Sequence, residues 1–261
     1  TIHCDSRGNI WIGAFSDNAY VKSSGGSMRK VFDEMQDVRC FFEDGMHMWI
    51  GTSKGLYVVD INTQKVIKHY NLKNNLVRSV VKDRLGRMWI GTFGSGLLIY
   101  DSQMKFIKQL TKLKGFPSNT VNAVIADRRG CIWCATGEGL VSFPKGDVRA
   151  FTTYAAASRL NNLHIRAVAE DEQGNLWVST NKGISCMKRG KDYFVNYDYR
   201  DNVAMGNYNP GSVAVSASGM LYFGSTKGLT CFNPRKVLVR RQAPEVFVTA
   251  VDIPHDATFM K

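Results

Sequence analysis

Along most of the chain, apolar residues alternate with polar ones or gather in short runs, and each run is closed by Gly, Asn, Asp or Ser. That punctuation predicts short strands, and nowhere does a helical period persist. The runs recur as one phrase. All five tryptophans, Trp11, Trp49, Trp89, Trp133 and Trp177, hold the same place in it, and Tyr222 takes that place in a sixth copy, at spacings of 38, 40, 44, 44 and 45 residues. The phrase reads Asp5-Ser6-Arg7-Gly8-Asn9-Ile10-Trp11-Ile12-Gly13 in the first copy and Asp83-Arg84-Leu85-Gly86-Arg87-Met88-Trp89-Ile90-Gly91 in the third. Copies four and five open on Asp127 and Asp171, and copy six more loosely on Ser216. The second copy departs from the rest, with Glu43 in place of the Asp and with Gly45 one residue early.

Each copy divides into four apolar stretches; in the fourth these are 121–126, 131–136, 140–143 and 148–154. The Asp-x-x-Gly step predicts a tight turn, the Asp bonding its own backbone and the Gly accepting positive φ, so the first two strands form a hairpin. A second Gly at 55, 96, 139, 183 and 228 predicts the next bend. The first copy lacks it, and Asp17-Asn18 is expected to take the left-handed conformation there. A period of about 40 to 45 residues with four strands and an aromatic anchor predicts an all-β fold, a β-propeller of four-stranded blades with six repeats visible. Each blade is apolar on both faces, so the core is expected between blades, filled by the tryptophans. The first copy begins partway through its innermost strand, and the last runs past Phe232-Asn233-Pro234 without an evident outermost strand. Propeller blades are assigned to 1–240. Residues 241–261 are assigned to a linker and the start of another domain, whose first strand is the alternating stretch 246–253.

The phrase Asp83 to Thr92 followed by Gly96-Leu97 resembles the repeat of the two-component regulator propeller family, and so does the closing stretch Gly206 to Gly211, Gly219 to Gly224 and Gly228 to Pro234. That family forms the extracytoplasmic sensor region of hybrid two-component systems of Bacteroides-type bacteria. The resemblance implies seven-bladed propellers, a following immunoglobulin-like β-sandwich, and a membrane anchor with histidine kinase and receiver modules outside this chain. It further implies a periplasmic address, a full-length homodimer and recognition of glycan-derived oligosaccharides.

Composition adds little to this. The chain has 261 residues, 44% apolar and 21% charged, enough for a sizeable core. Lys and Arg outnumber Asp and Glu by 34 to 22, a net charge of +12 that favours an anionic partner. The charge is spread over many blades without a groove-reading or stacking motif, so nucleic acid is not expected. Six cysteines are too sparse for a disulfide scaffold, and no apolar run reaches the roughly 20 residues of a membrane-spanning helix. Cys131 and Cys134 share a strand on opposite faces and cannot bridge each other. Cys40, aligned with Val80, and Cys186 and Cys231, aligned with Val58 and Ile99, are expected as small buried residues.

No metal site, cofactor fingerprint or catalytic grouping is recognisable, so neither metal, cofactor nor catalysis is expected in this segment. The row of Asp5, Glu43, Asp83, Asp127 and Asp171 is read as turn geometry. In a propeller, the loops before the innermost strands and those between the second and third strands gather at one end. They carry Arg78, Asn122, His164, Arg166, Tyr208, Asn209, Phe93 and Lys182, with Asn75, Asn119 and Asn162 beside them. Amides, guanidinium groups and ring faces are what a sugar binder needs. For a sugar bearing uronic or sulfate groups, Arg78 and Arg166 are the expected cations. Alternatives are a polysaccharide-cleaving propeller enzyme and a protein-interaction scaffold.

Overall fold

The computed structural model describes residues 1–32 and 36–237. Six antiparallel sheets follow one another, each hydrogen-bonded in chain order, five of four strands and the last of three. The fourth blade, for example, is Val121–Ala126, Ile132–Thr136, Gly139–Phe143 and Thr152–Tyr154. The fifth is Ala167–Glu170, Leu176–Thr180, Gly183–Met187 and Val195–Tyr197, and the sixth Tyr208–Val215, Leu221–Ser225 and Gly228–Phe232. The first strands pack against each other from blade to blade. That of blade 6 also meets those of blades 3 and 4, so the sheets share a hub. This is the all-β propeller that the repeat period predicts. The expected boundary at 240 and the strand 246–253 of an immunoglobulin-like sandwich lie outside the described residues.

The tryptophans all point the same way along the series. Trp11 packs on Val38, Met48 and Ile50 of blade 2. Trp89 packs on Val121, Val124 and Val141 of blade 4, Trp133 on Val168 and Val178 of blade 5, and Trp177 on Tyr208 and Phe223 of blade 6. Each of these tryptophans is thus buried against the blade that follows its own.

The turn aspartates do more than close the hairpin. Asp171 Oδ1 accepts from the backbone N–H groups of Gln173 and Asn175, as the turn reading requires, while its Oδ2 accepts from Asn175 Nδ2 and from the indole Nε1 of Trp177, each at 2.9 Å. Asp5, Asp83 and Asp127 hold Trp11, Trp89 and Trp133 the same way at 2.8, 2.8 and 3.0 Å. One carboxylate therefore satisfies the turn and the only polar atom of the core ring six residues on. Blade 2, which lacks the Asp, leaves Trp49 Nε1 buried without a hydrogen-bond partner among the described residues. There the ring relies on stacking with Tyr70, centroids 6.0 Å apart. Trp49→Phe is accordingly expected to be neutral or slightly stabilising, because it removes a donor that bonds nothing. A loss above about 1 kcal/mol in denaturant titration would contradict that.

Two local expectations are corrected. In blade 1 the left-handed residue is Ser16 at φ 54°, not Asp17-Asn18. Asn18 is fully buried and bonds Phe32 through both ends of its amide, a task that holds it in place. In blade 2 the early Gly45 shortens the hairpin by a residue, so Phe41 pairs with Ile50 as Val80 pairs with Ile90. Cys40 therefore matches Ser79, with its sulfur against Gly51. The second-turn glycines behave as expected. Gly183, at φ 124°, also passes so close to the Tyr197 carbonyl that a Cβ would lie 2.2 Å from it.

The sixth blade shows what its face lacks. Tyr222 and Cys231 stand where Trp177 and Cys186 stand in blade 5, and Leu229 where Ile184 stands. Ile184 is 1% exposed, Leu229 61%. Cys231, expected to be buried, is likewise exposed, because no following blade covers this face among the described residues. Burial pushes the thiols of Cys40, Cys131 and Cys186 up to about 12 and that of Cys134 higher still. Cys4 and Cys231 are exposed. Cys40, expected to be buried, is half-buried, as is Cys131, so a disulfide reagent at pH 7.5 is expected to titrate Cys4 and Cys231 quickly, Cys40 and Cys131 slowly, and Cys134 and Cys186 only on unfolding. Four fast thiols would contradict the packing described.

Candidate functional site

At one end of the hub, the innermost strands of blades 2, 3, 4 and 6 are interrupted by a bulge. Pairing to the second strand jumps between Val38 and Cys40 in blade 2, between Val77 and Ser79 in blade 3, and between Val121 and Ala123 in blade 4. The skipped residues are Arg39, Arg78 and Asn122. In blade 5 the matching position is Arg166, just ahead of the strand, and in blade 6 the larger bulge between Tyr208 and Val213 contains Asn209 and Gly211. A bulge re-aims one side chain without breaking the ladder, and here it turns that side chain toward the axis.

These side chains meet across blades. Arg78 donates through Nη1 to Asn122 Oδ1, Asn122 Nδ2 donates to the Ile165 carbonyl at 2.7 Å, and Gly211 N donates to the Arg166 carbonyl at 2.9 Å. Burial, then the charges of Arg39 and Arg166, lower the pKa of Arg78 to about 10. It stays cationic at neutral pH, within electrostatic reach of the guanidinium groups of Arg39 in blade 2 and Arg166 in blade 5. Their carboxylate content is small: Arg39 bonds Asp37 at 2.7 Å, whereas Arg78 and Arg166 make no ion pair among the described residues. Arg39 Nε is buried without a partner among the described residues.

The loops between second and third strands add a second layer. The residue four past the tryptophan touches an axial arginine in three blades. The Arg39 guanidinium lies 4.1 Å from the ring centroid of Phe15, and that of Arg78 4.3 Å from Phe93. Arg166 Nε donates to Asn181 Oδ1 at 2.8 Å. Phe15 and Phe93 are 71% and 53% exposed, so both rings present a free face beside a cation.

The expected site residues divide accordingly. Arg78, Asn122, Arg166 and Phe93 come together at the axis. Asn209 lies in the blade 6 bulge, exposed, and Lys182 is exposed on the neighbouring loop. His164 is exposed on its loop, with its backbone N–H bonded to Asn162. Tyr208 is 1% exposed, its hydroxyl 2.6 Å from Thr230 Oγ1; it is core between blades 5 and 6 and offers no face to a ligand. Asn75, Asn119 and Asn162 bond their own loops, the ordinary work of turn residues, and Asn75 and Asn162 also accept from Ser95 Oγ and Asn181 N of the adjoining loops. Arg39 and Phe15 escaped the sequence reading. Counting eleven residues back from the tryptophan finds Arg78, Asn122 and Arg166 but lands on Val38 in blade 2, because the shortened hairpin displaces Arg39 by one.

Among the described residues no cluster of His, Cys, Asp or Glu could hold a metal, and no helix is long and apolar enough to cross a membrane.

Fold and site together define a β-propeller with a cationic, aromatic-flanked axial end. Its repeats at 71–94, 115–138 and 159–182 match the two component regulator propeller family, to which the chain belongs. It is 38% identical to the extracellular domain of a hybrid two component system of B. thetaiotaomicron, BT3049, over 100% of this chain and 37% of that one, with a TM-score of 0.91. A second such domain from the same organism, BT4673, is 20% identical over 89% of this chain and 31% of its own, at a TM-score of 0.73. The chain thus spans about a third of the length of these sensor domains. Virginiamycin B lyase of Staphylococcus aureus, 11% identical over 88% of this chain and 82% of its own at a TM-score of 0.67, shares the fold alone. No curated protein matches.

Proposed function

We propose that this chain is part of the extracellular, periplasmic ligand-sensing region of a hybrid two-component system, and that its axial end binds an anionic oligosaccharide without catalysis. The convergence of Arg39, Arg78 and Arg166 with one paired carboxylate carries the reading. Three cations held near one another are unfavourable in the empty protein and become favourable once an anion sits between them. That is differential binding of the kind a sensor needs. The exposed rings of Phe15 and Phe93 supply apolar faces for sugar C–H surfaces, and Asn122 fixes Arg78 for a bidentate contact with a carboxylate or sulfate.

Titration calorimetry of uronate- and sulfate-bearing oligosaccharides tests this. Micromolar binding that weakens steeply with salt is expected, with no new reducing ends after long incubation. Phe93→Ala should weaken binding roughly tenfold through the lost ring face and the loosened Arg78. Unchanged affinity in that variant would remove the aromatic part of the site.

A further inference from the structure

Beside the axial arginines lies a cavity of about 600 Å³, opening between the rims of blades 5 and 6. Asn181 belongs to both: its Oδ1 accepts from Arg166, and the residue lines the cavity wall. Asn161, Asn196, Lys182 and Tyr199 also line it. Asn196 is fixed, its Oδ1 accepting from Ser185 Oγ at 2.7 Å and its Nδ2 donating to the Arg159 carbonyl at 2.8 Å, so it forms a rigid floor. Tyr199 is 65% exposed, with the Arg200 guanidinium 5.9 Å from its ring centroid. It is held by a short helical turn whose capping box joins Asp198 and Asp201.

Charge separates this cavity from the axis. Arg200 is bonded to Asp198 at 2.6 and 3.0 Å, and Lys182 and Asp201 offset one another in number, so the lining carries no net charge. A volume of this size matches small-ligand pockets, and amide donors, one ring face and a balanced ion pair suit hydroxyl-rich, uncharged units rather than a second anion.

Building on the functional reading above, we infer that the ligand is a linear acidic oligosaccharide bound in two parts: its charged end at Arg39, Arg78 and Arg166, and its following neutral units in the blade 5 to 6 cavity, across Asn181. The cavity thereby selects chain length, and the arginines select charge.

The experiment is calorimetry with a panel of uronate- and sulfate-bearing saccharides of one, two and four units, against the unaltered chain, Tyr199→Ala, Lys182→Ala and Arg166→Ala, with thermal midpoints recorded to confirm folding. Tyr199 and Lys182 are exposed, so both variants should fold. Affinity is expected to rise at least tenfold from one unit to four. Tyr199→Ala is expected to abolish most of that rise while the single-unit probe binds as before, and Lys182→Ala to reduce it severalfold. Arg166→Ala should weaken every length. Length-independent affinity, or a length effect untouched by Tyr199→Ala, overturns the cavity inference and leaves the arginine site standing. If no probe binds, or binding ignores Arg166→Ala, the functional reading itself falls.

Discussion

Asp171→Ala is expected to destabilise the propeller by roughly 3 to 5 kcal/mol. Asp171 is 2% exposed, and the change removes the acceptor of four donors: the amides of Gln173 and Asn175, the side chain of Asn175 and the indole of Trp177. Trp177 and Asn175 are themselves buried, so water cannot replace the carboxylate. Asp171→Asn keeps an acceptor for one pair of donors but sets its Nδ2 donor against the other pair, so it should recover only part of the loss. Chemical denaturation of the three proteins measures the difference, and a loss below about 1 kcal/mol for Asp171→Ala would show that the Asp to Trp bond is dispensable. The same clamp makes a pH dependence. Burial raises the pKa of Asp5, but the bonds from Trp11, Asn9 and Arg7 together outweigh it and leave it lowered. A carboxyl held below its unfolded value contributes stability that is complete above the unfolded pKa of about 4 and fades as pH falls through the lowered one, so acid should loosen blade 1.

The second large effect concerns binding. Arg78→Ala is expected to weaken an acidic saccharide about 30- to 1000-fold, corresponding to about 2 to 4 kcal/mol for a lost desolvated charge contact, and to flatten the salt dependence. The direction with pH follows from the lowered pKa: Arg78 is fully charged at pH 7, so affinity should hold through neutrality and fall as pH rises through about 10. Arg78→Lys should recover only part of the affinity, since an ammonium cannot make the planar contact. Equal binding by wild type and Arg78→Ala in the same calorimetric titration would place the ligand elsewhere.

Much of the fold was legible because the repeat restates one structural demand across six copies: an Asp for the hairpin in four of them, an aromatic between sheets in all six, and a second Gly where backbones cross in five. What stayed hidden is instructive. Asp171 looked like a turn residue, and half of its role is that; its bond to Trp177 was written at a fixed six-residue interval, but an interval does not say which way a ring nitrogen points. Arg39 was lost to a single deletion in the turn at Gly45, since residue counting from Trp49 assumes a constant hairpin. Tyr208 was misplaced for the opposite reason: its position before a strand looks accessible, and only packing against Trp177 and Phe223 shows that it is sealed. Cys231 could not be judged from its own blade at all, because its burial depends on whether another sheet follows.

The uniform heading of the tryptophans gives the molecule a direction of failure. A sheet that loosens uncovers the indole of its predecessor but leaves its own indole seated, so damage should propagate from higher-numbered blades toward lower ones, like a row of tiles lifting from one edge. Amide exchange followed along the series should therefore show protection that declines toward the sheet containing Leu229 rather than symmetrically from both ends.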